Sequence, residues 1–185
     1  MKPLQNKTAS PSGRNHKELF YVALASAFGL GLSPIGPGTC GAVLGVLIHI
    51  LIVTLLPQNT QLTALVIAFG SVCAVHYWLT PWAVKYWKDE DPKNFVLDEV
   101  AGYLLVPILF HYGHLWQIVL WGFLLFRLLD IIKVPPARQI DRRMHGALGI
   151  VLDDLVSAGY AVLVLYALKW IGPRIGLDAW LIHTS

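Results

Sequence analysis

The residues best suited to chemistry in this sequence are acids and bases that interrupt apolar segments. They are Asp98, Glu99, Arg127, Asp130, Lys133, Asp153 and Asp154. A charge near the centre of a membrane helix costs roughly 2.5–3.5 kcal/mol, so charges kept in apolar segments usually pair with each other or bind an ion. Arg127, Asp130 and Lys133 recur at three-residue spacing, which places them on one helix face.

Each of these groups also has a structural interpretation. Adjacent acids at a helix start complement the helix dipole, and Arg127 and Lys133 could extend to lipid headgroups. The convergence of five acids and two bases favours function, because only 14% of the chain is charged. The sequence therefore predicts one site at one membrane depth.

Acids and bases combined in this way are typical of metal-assisted phosphoryl chemistry. Magnesium takes one or two protein carboxylates and completes its shell with water and phosphate oxygens. In such hydrolysis a carboxylate positions the attacking water, and Arg or Lys stabilises the phosphate oxygens. Every part of that set is present in this chain.

The stretch GLGLSPIGPGTCGA, residues 29 to 42, adds a candidate phosphate cradle. Flexible glycines and a helix beginning near Thr39 would present N–H groups to an anion beside Gly38. The Gly-Lys-Ser/Thr ending of a P-loop is absent. An equally good interpretation is a tight turn in which Gly41 and Gly45 permit close helix packing.

Composition identifies the elements that must position these residues. Hydrophobic residues make up 56% of the chain and the mean hydropathy is +0.59, which is typical of an integral membrane protein. The 185 residues leave room for about five spans of roughly 20 residues and exclude a large soluble domain. The net charge of +3 does not indicate nucleic acid binding, and two cysteines, Cys40 and Cys73, suggest neither a disulfide framework nor a zinc site.

We therefore predict an all-α, polytopic membrane helix bundle. The chain divides into a disordered polar tail (1–18), a single membrane-embedded catalytic bundle (19–171) and a short C-terminal tail (172–185). Within the bundle we predict an interfacial or re-entrant helix at 19–32. The predicted spans follow at 40–56, 62–84, 96–110, 115–132 and 147–170. The third span is short enough to lie partly in the interface.

Basic residues predict the orientation of the bundle. Lys and Arg occur in the first eighteen residues, between 85 and 93 and between 133 and 143, whereas the LPQNT and HYGH loops have none. By the positive-inside rule, the N-terminus and the acidic ends of the spans face the cytoplasm.

Five motifs together resemble the phosphatidylglycerophosphatase A family. They are PGTCGA at 37–42, LDEVAG at 97–102, FRLLDIIK at 126–133, PPARQIDRRMHGALGI at 135–150 and DDLVSAG at 153–159. The resemblance implies a magnesium-dependent lipid phosphatase of the bacterial inner membrane that converts phosphatidylglycerophosphate to phosphatidylglycerol at the cytoplasmic face. The sequence departs from the family after Lys133, where Val134 replaces the common proline.

The family's motif positions carry over to the seven charged residues above and to further ones. These further positions are Gly102, Arg138, Asp141, His145 and Gly146. As hypotheses, Asp98, Asp130, Asp153 and Asp154 are metal ligands, Glu99 is the general base or positions water, and Arg127, Lys133 and Arg138 hold the phosphate with Gly38 and Thr39.

Other functions fit the sequence less well. Neither cysteine has an Arg six residues on, which argues against a cysteine phosphatase, and the Asp-Gly-x-x-Ala-Arg run of CDP-alcohol phosphotransferases is absent. The main alternative is a small cation-coupled transporter, although its acids would lie near the midplane within repeated units. A non-catalytic lipid-binding subunit would explain the basic loops but not the carboxylates. Beyond the substrate and membrane lipids, self-association into a homo-oligomer stays open.

Overall fold

The computed structural model describes residues 16–176, and the regular secondary structure within them is entirely helical, with no strand. The helices are α1 (His16–Ala25), α2 (Pro37–Leu55), α3 (Gln58–Trp87), α4 (Leu97–Leu109), α5 (Leu115–Ile132), α6 (Ala137–Arg143) and α7 (Gly146–Ile171). The predicted all-α bundle is confirmed.

Between residues 16 and 176, four helices are long and apolar enough to cross a membrane, namely α2, α3, α5 and α7 with its 3-10 extension to Arg174. The chain is therefore a membrane protein, as its composition indicates. Helix α5 has the predicted bounds, whereas α2 begins at Pro37 rather than at residue 40. Proline suits the first turn of a helix, because its missing N–H would have no intrahelical partner there.

Helix α4 corresponds to the short third span and lies at the centre of the bundle. It contacts α2, α3, α5 and α7, and nine of its thirteen residues are buried. At about 1.5 Å per residue it is only about 20 Å long, too short to cross a bilayer as a regular helix. Because protein surrounds α4, its first turn can carry Asp98 and Glu99 without exposing them to lipid.

The segment before α2 is not a span. Helix α1 has ten residues, about 15 Å, and is followed by a turn and a 3-10 helix, Leu30–Leu32. Its depth in the bilayer stays a prediction. Helix α1 includes His16 to Glu18, which the sequence analysis assigned to the tail; Glu18 in the first turn complements the helix dipole. Residues 1–15 and 177–185, which carry most of both predicted tails, lie outside the described residues.

The central core joins four helices below the acidic end. Tyr103 and Val106 of α4 pack with Ala42 of α2, Phe126 of α5 and Leu165 of α7. His49 is buried beside this core and its Nδ1 lies 3.1 Å from the Tyr103 hydroxyl, which indicates a structural role for this histidine. Cys40 and Cys73 are both free and partly exposed.

Candidate active site

One end of the bundle holds the predicted site. The first turns of α2 and α4, the second and third turns of α7 and the last turns of α5 surround a cavity of about 340 Å³. The predicted residues on its walls are Gly38, Thr39, Asp98, Glu99, Arg127, Asp130, Lys133, Asp153 and Asp154. Charges that are more than fifty residues apart in sequence therefore meet in one chamber of a size usual for small-ligand sites.

Three of the carboxylates form a compact trio. Asp98 and Glu99 on α4 and Asp154 on α7 each contribute an oxygen, and these oxygens lie within 4.8 Å of one another. Asp98 is 7% exposed and Asp154 is 4% exposed. Like charges this close repel each other when buried, so the trio requires protons or a cation to compensate it.

Unpaired carboxylate oxygens make the trio suitable for binding a metal ion. Asp98 Oδ1, Glu99 Oε2 and Asp154 Oδ2 are buried and have no hydrogen-bond partner among the described residues. Buried polar atoms are normally paired, and leaving one unpaired costs roughly 1–3 kcal/mol. The three residues that carry these oxygens also bring a carboxylate oxygen each into one cluster, and carboxylate oxygens are the hard ligands that magnesium prefers. The trio is thus a candidate metal centre.

Arg127 and Asp130 face the trio from α5. Arg127 Nη1 donates to Asp130 Oδ2 at 2.6 Å, and their side chains are 12% and 10% exposed. Arg127 Nε is buried without a partner among the described residues, so this guanidinium keeps donor capacity beyond its ion pair. Asp130 also lies close to the Asp154 carboxylate.

Lys133 joins three segments at the mouth of the cavity. Its Nζ donates to Asp153 Oδ2 on α7 at 2.7 Å and to Asp141 Oδ1 on α6 at 2.5 Å. Burial acts to lower the pKa of Lys133, but these two hydrogen bonds outweigh it and raise the pKa above its usual value. Lys133 is therefore a permanent cation with two carboxylate partners.

The first turn of α2 forms the opposite wall. Gly36 has a φ of +58°, in the left-handed region that glycine tolerates best. A Cβ on Gly38 would overlap the Glu99 carboxylate and contact Arg127, so glycine is needed for the helix start to lie against both groups. Gly38 and Thr39 line the cavity at the start of α2, where backbone N–H groups lack intrahelical partners and the helix dipole is positive.

The two interpretations of the glycine-rich stretch are compatible. Gly38 belongs to the cavity wall, whereas Gly41 and Gly45 lie further along α2 against α4. A Cβ on Gly41 would overlap Val96, and one on Gly45 would lie 3.0 Å from Tyr103. The same helix therefore supplies a candidate anion cradle and close packing.

The remaining motif positions lie around the cavity rather than on its wall. Arg138 is exposed on α6, and Asp141 is engaged by Lys133. His145 Nδ1 lies 3.4 Å from Glu90 Oε2 at the surface, and Gly146, with a φ of +77°, begins α7. Gly102 allows α4 to approach α5, because a Cβ there would lie 2.5 Å from the Phe126 ring.

The loop before α4 contributes residues that the sequence analysis left out. Asp91, Pro92 and Lys93 line the cavity, although a loop of mixed charge beside a proline is typical of a solvated connector. The position of this loop could have indicated its place in the cavity, because the loop leads directly into Asp98 and Glu99.

Comparisons with known proteins bear directly on this site. A family model described as phosphatidylglycerophosphatase A matches residues 23–169. The chain belongs to the phosphatidylglycerophosphatase A family. The predicted resemblance is confirmed, and as a member of the phosphatidylglycerophosphatase A family the chain is an enzyme, a phosphoric monoester hydrolase.

Curated relatives cover most of the chain. It is 37% identical over 143 residues to phosphatidylglycerophosphatase A of Escherichia coli (strain K12), across 77% of this chain and 80% of that protein. It is 32% identical to phosphatidylglycerophosphatase A of Haemophilus influenzae, across 80% of this chain and 87% of the relative. A Bacteroides thetaiotaomicron protein, provisionally named a phosphatidylinositol-3-phosphatase, is 30% identical across 81% of this chain and 94% of its own length. No solved structure matches significantly.

Proposed function

We propose that the chain hydrolyses the terminal phosphomonoester of phosphatidylglycerophosphate to phosphatidylglycerol and phosphate, with magnesium, at the cytoplasmic face of the bacterial inner membrane. The observation that carries this proposal is the buried trio of Asp98, Glu99 and Asp154, whose unpartnered oxygens share a cavity with Arg127. The names of two relatives support the substrate. The reaction forms a bond between a water oxygen and phosphorus, breaks the P–O bond to glycerol and leaves a proton on the glycerol oxygen.

Asp98 and Asp154 would hold the metal, with Glu99 at its edge. A bound magnesium ion would neutralise charge on the phosphate oxygens and orient the phosphate. Glu99, which contacts the first turn of α2, would position the attacking water and accept its proton. A ligand role for Asp130 and Asp153 stays a prediction, because in the structure each accepts a hydrogen bond from a basic side chain.

The phosphate would lie between α5 and the start of α2. Arg127 has an unused donor, and Gly38 and Thr39, whose backbone N–H groups would contact the phosphate, line the same cavity. Charged donors fixed in place stabilise the equatorial oxygens of a phosphoryl group as charge develops. Lys133 would act from the mouth of the cavity. A phosphate role for Arg138 stays a prediction, since this residue does not line the cavity.

The cytoplasmic orientation is supported by the charge of the loops. Lys93 and Lys133 come from two different basic loops and line the same cavity. The loops at the far ends of the spans contain no Lys or Arg. An excess of basic residues in short loops marks the cytoplasmic side.

The direct test is phosphate release from phosphatidylglycerophosphate by the purified protein in detergent, with magnesium and with EDTA. We expect release only with magnesium, together with phosphatidylglycerol as the lipid product. Hydrolysis that continues in EDTA would refute the metal dependence. Failure of the folded protein to act on this lipid under any metal condition would refute the proposed substrate.

A further inference from the structure

Lys93 is the basic side chain of the cavity that is not already paired with an acid. Three basic residues line the cavity, namely Lys93, Arg127 and Lys133. Arg127 is paired with Asp130, and Lys133 with Asp141 and Asp153. Lys93 is exposed and makes no ion pair within the described residues. Its charge is therefore available to a ligand.

The backbone of Lys93 is fixed even though its side chain is exposed. The Phe95 N–H donates to the Pro92 carbonyl at 2.8 Å, which closes a turn around Lys93. Phe95 is 2% exposed, and its ring stacks on His76 of α3 with centroids 4.8 Å apart. His76 Nε2 in turn lies 3.0 Å from the Ala147 carbonyl of α7. Lys93 thus extends from a turn anchored to two spans.

The cavity contains more acids than bases, so a basic side chain that is not already paired is important for binding an anionic lipid. Six acids line the cavity against the three bases: Asp91, Asp98, Glu99, Asp130, Asp153 and Asp154. A lipid of the proposed class carries two phosphates, the monoester that is cleaved and the diester that links it to the lipid. Arg127 and the start of α2 face the trio, where the monoester would lie. The diester, a glycerol unit further out, needs a separate cation to offset repulsion from the acids.

We propose that Lys93 binds the phosphodiester of the lipid substrate and selects lipids that carry this second phosphate over lipids with a monoester alone. The inference rests on the proposed function and assigns to Lys93 a role in specificity. It requires a compact, flexible cation at the cavity edge, which suits the lysine ammonium.

The test compares Lys93→Gln with Lys88→Gln on two lipids in the same mixed micelles. Lys88 is an exposed lysine of the same basic loop that does not line the cavity. Phosphatidylglycerophosphate carries the diester, and phosphatidic acid, measured as substrate or competitive inhibitor, lacks it. We expect Lys93→Gln to lower kcat/KM for phosphatidylglycerophosphate by about tenfold, mainly through KM, as for the loss of a charged hydrogen bond. Phosphatidic acid should be unaffected, and Lys93→Arg should restore most of the loss.

Three results would overturn this inference. If Lys93→Gln lowered kcat/KM equally for both lipids, Lys93 would act at the cleaved phosphate. If Lys88→Gln lowered kcat/KM as much as Lys93→Gln does, the effect of Lys93 would be only the general attraction between basic loops and anionic micelles. Unchanged kinetics in Lys93→Gln would show that it contacts neither phosphate. If the wild-type protein does not hydrolyse phosphatidylglycerophosphate, the proposed function itself fails and this inference falls with it.

Discussion

At the scale of single residues, Asp154 is central to the site because it joins α7 to the two acids of α4. We expect Asp154→Asn to lower phosphate release by about 100-fold or more, since the ion that Asp154 would hold with Asp98 contributes several kcal/mol to transition-state stabilisation. Asp89→Asn, an exposed acid outside the cavity, is the matched control and should keep wild-type activity. Release assays at saturating magnesium distinguish the two. Normal turnover in Asp154→Asn would remove this residue from the site.

The same substitution should stabilise the metal-free protein. Oxygens from three acids lie within 4.8 Å of one another, and removing one charge relieves their repulsion. We expect a higher melting temperature for Asp154→Asn than for wild type in EDTA, by the equivalent of about 0.5–2 kcal/mol. Magnesium should then raise the melting temperature of wild type more than that of the variant. A variant that melts lower than wild type in EDTA would mean that the trio is not under electrostatic strain.

The sequence predicts most of the charged residues that line the cavity, but not which of them group together. The predicted span boundaries place all five of the predicted acids at one depth in the membrane. In the structure, Asp98 and Asp154 group with Glu99, whereas Asp130 and Asp153 accept hydrogen bonds from basic side chains. This division depends on side-chain contacts between helices, which the sequence does not show. Lys93 was missed because a mixed-charge loop next to a proline is typical of a solvated connector.

At the scale of elements, the position of α4 depends on a glycine. Gly102 faces the Phe126 ring, and a Cβ there would also lie 3.3 Å from the Asp154 Cβ. We expect Gly102→Ala to destabilise the protein by about 1–3 kcal/mol, as overpacking does in close-packed cores. Its activity should fall as well, because α4 carries Asp98 and Glu99. Thermal melting in detergent measures the first effect and phosphate release the second.

Gly159→Ala is the matched control for that substitution. Gly159 lies in α7, and a Cβ added there would meet no neighbouring atom within 4 Å among the described residues. Alanine should therefore be neutral or stabilising by up to about 1 kcal/mol. Equal melting temperatures for Gly102→Ala and wild type would show that α4 and α5 are not in close contact.

The spans were predictable because long apolar runs bounded by polar loops are typical of membrane helices, and the polar loops mark where each helix begins and ends. Helix α5 has its predicted bounds, and α3 and α7 differ from theirs by a few residues. Helix α6 was not predicted, because the seven residues ARQIDRR after two prolines contain only two apolar side chains, Ala137 and Ile140, and show no apolar period. Its place is determined by tertiary contacts instead: Lys133 binds Asp141 of α6, and Tyr160 Oη donates to the Pro135 carbonyl at 2.7 Å.

At the scale of the whole molecule, the two ends of the bundle differ in charge. The cavity end collects the acids together with both basic loops, whereas the other end has no Lys or Arg in the loops at 56–60 and 111–114. A cation-coupled transporter would place its acids near the midplane. Carboxylates gathered at one end instead suit a reaction on headgroups at one membrane surface.

This asymmetry predicts the topology. In a Cys40→Ser and Cys73→Ser background, we expect Asn59→Cys to react with an impermeant maleimide at the outer side of the inner membrane. Arg142→Cys, from the loop beside the cavity, should react only after the membrane is permeabilised. Both positions are exposed, so access depends on the side of the membrane. The reverse labelling pattern would place the cavity on the outer side.

The central claim is that the acidic trio is a divalent-ion site in which Asp98 and Asp154 are the ligands and Glu99 lies beside the ion. The most direct measurement is the binding of Mn²⁺, which shares the oxygen ligands of magnesium, to the solubilised protein by electron paramagnetic resonance. We predict saturable binding that magnesium displaces, weakened at least tenfold in the Asp98→Asn and Asp154→Asn double variant and unchanged in Asp89→Asn. Equal Mn²⁺ affinity in the double variant and the wild type would contradict the account.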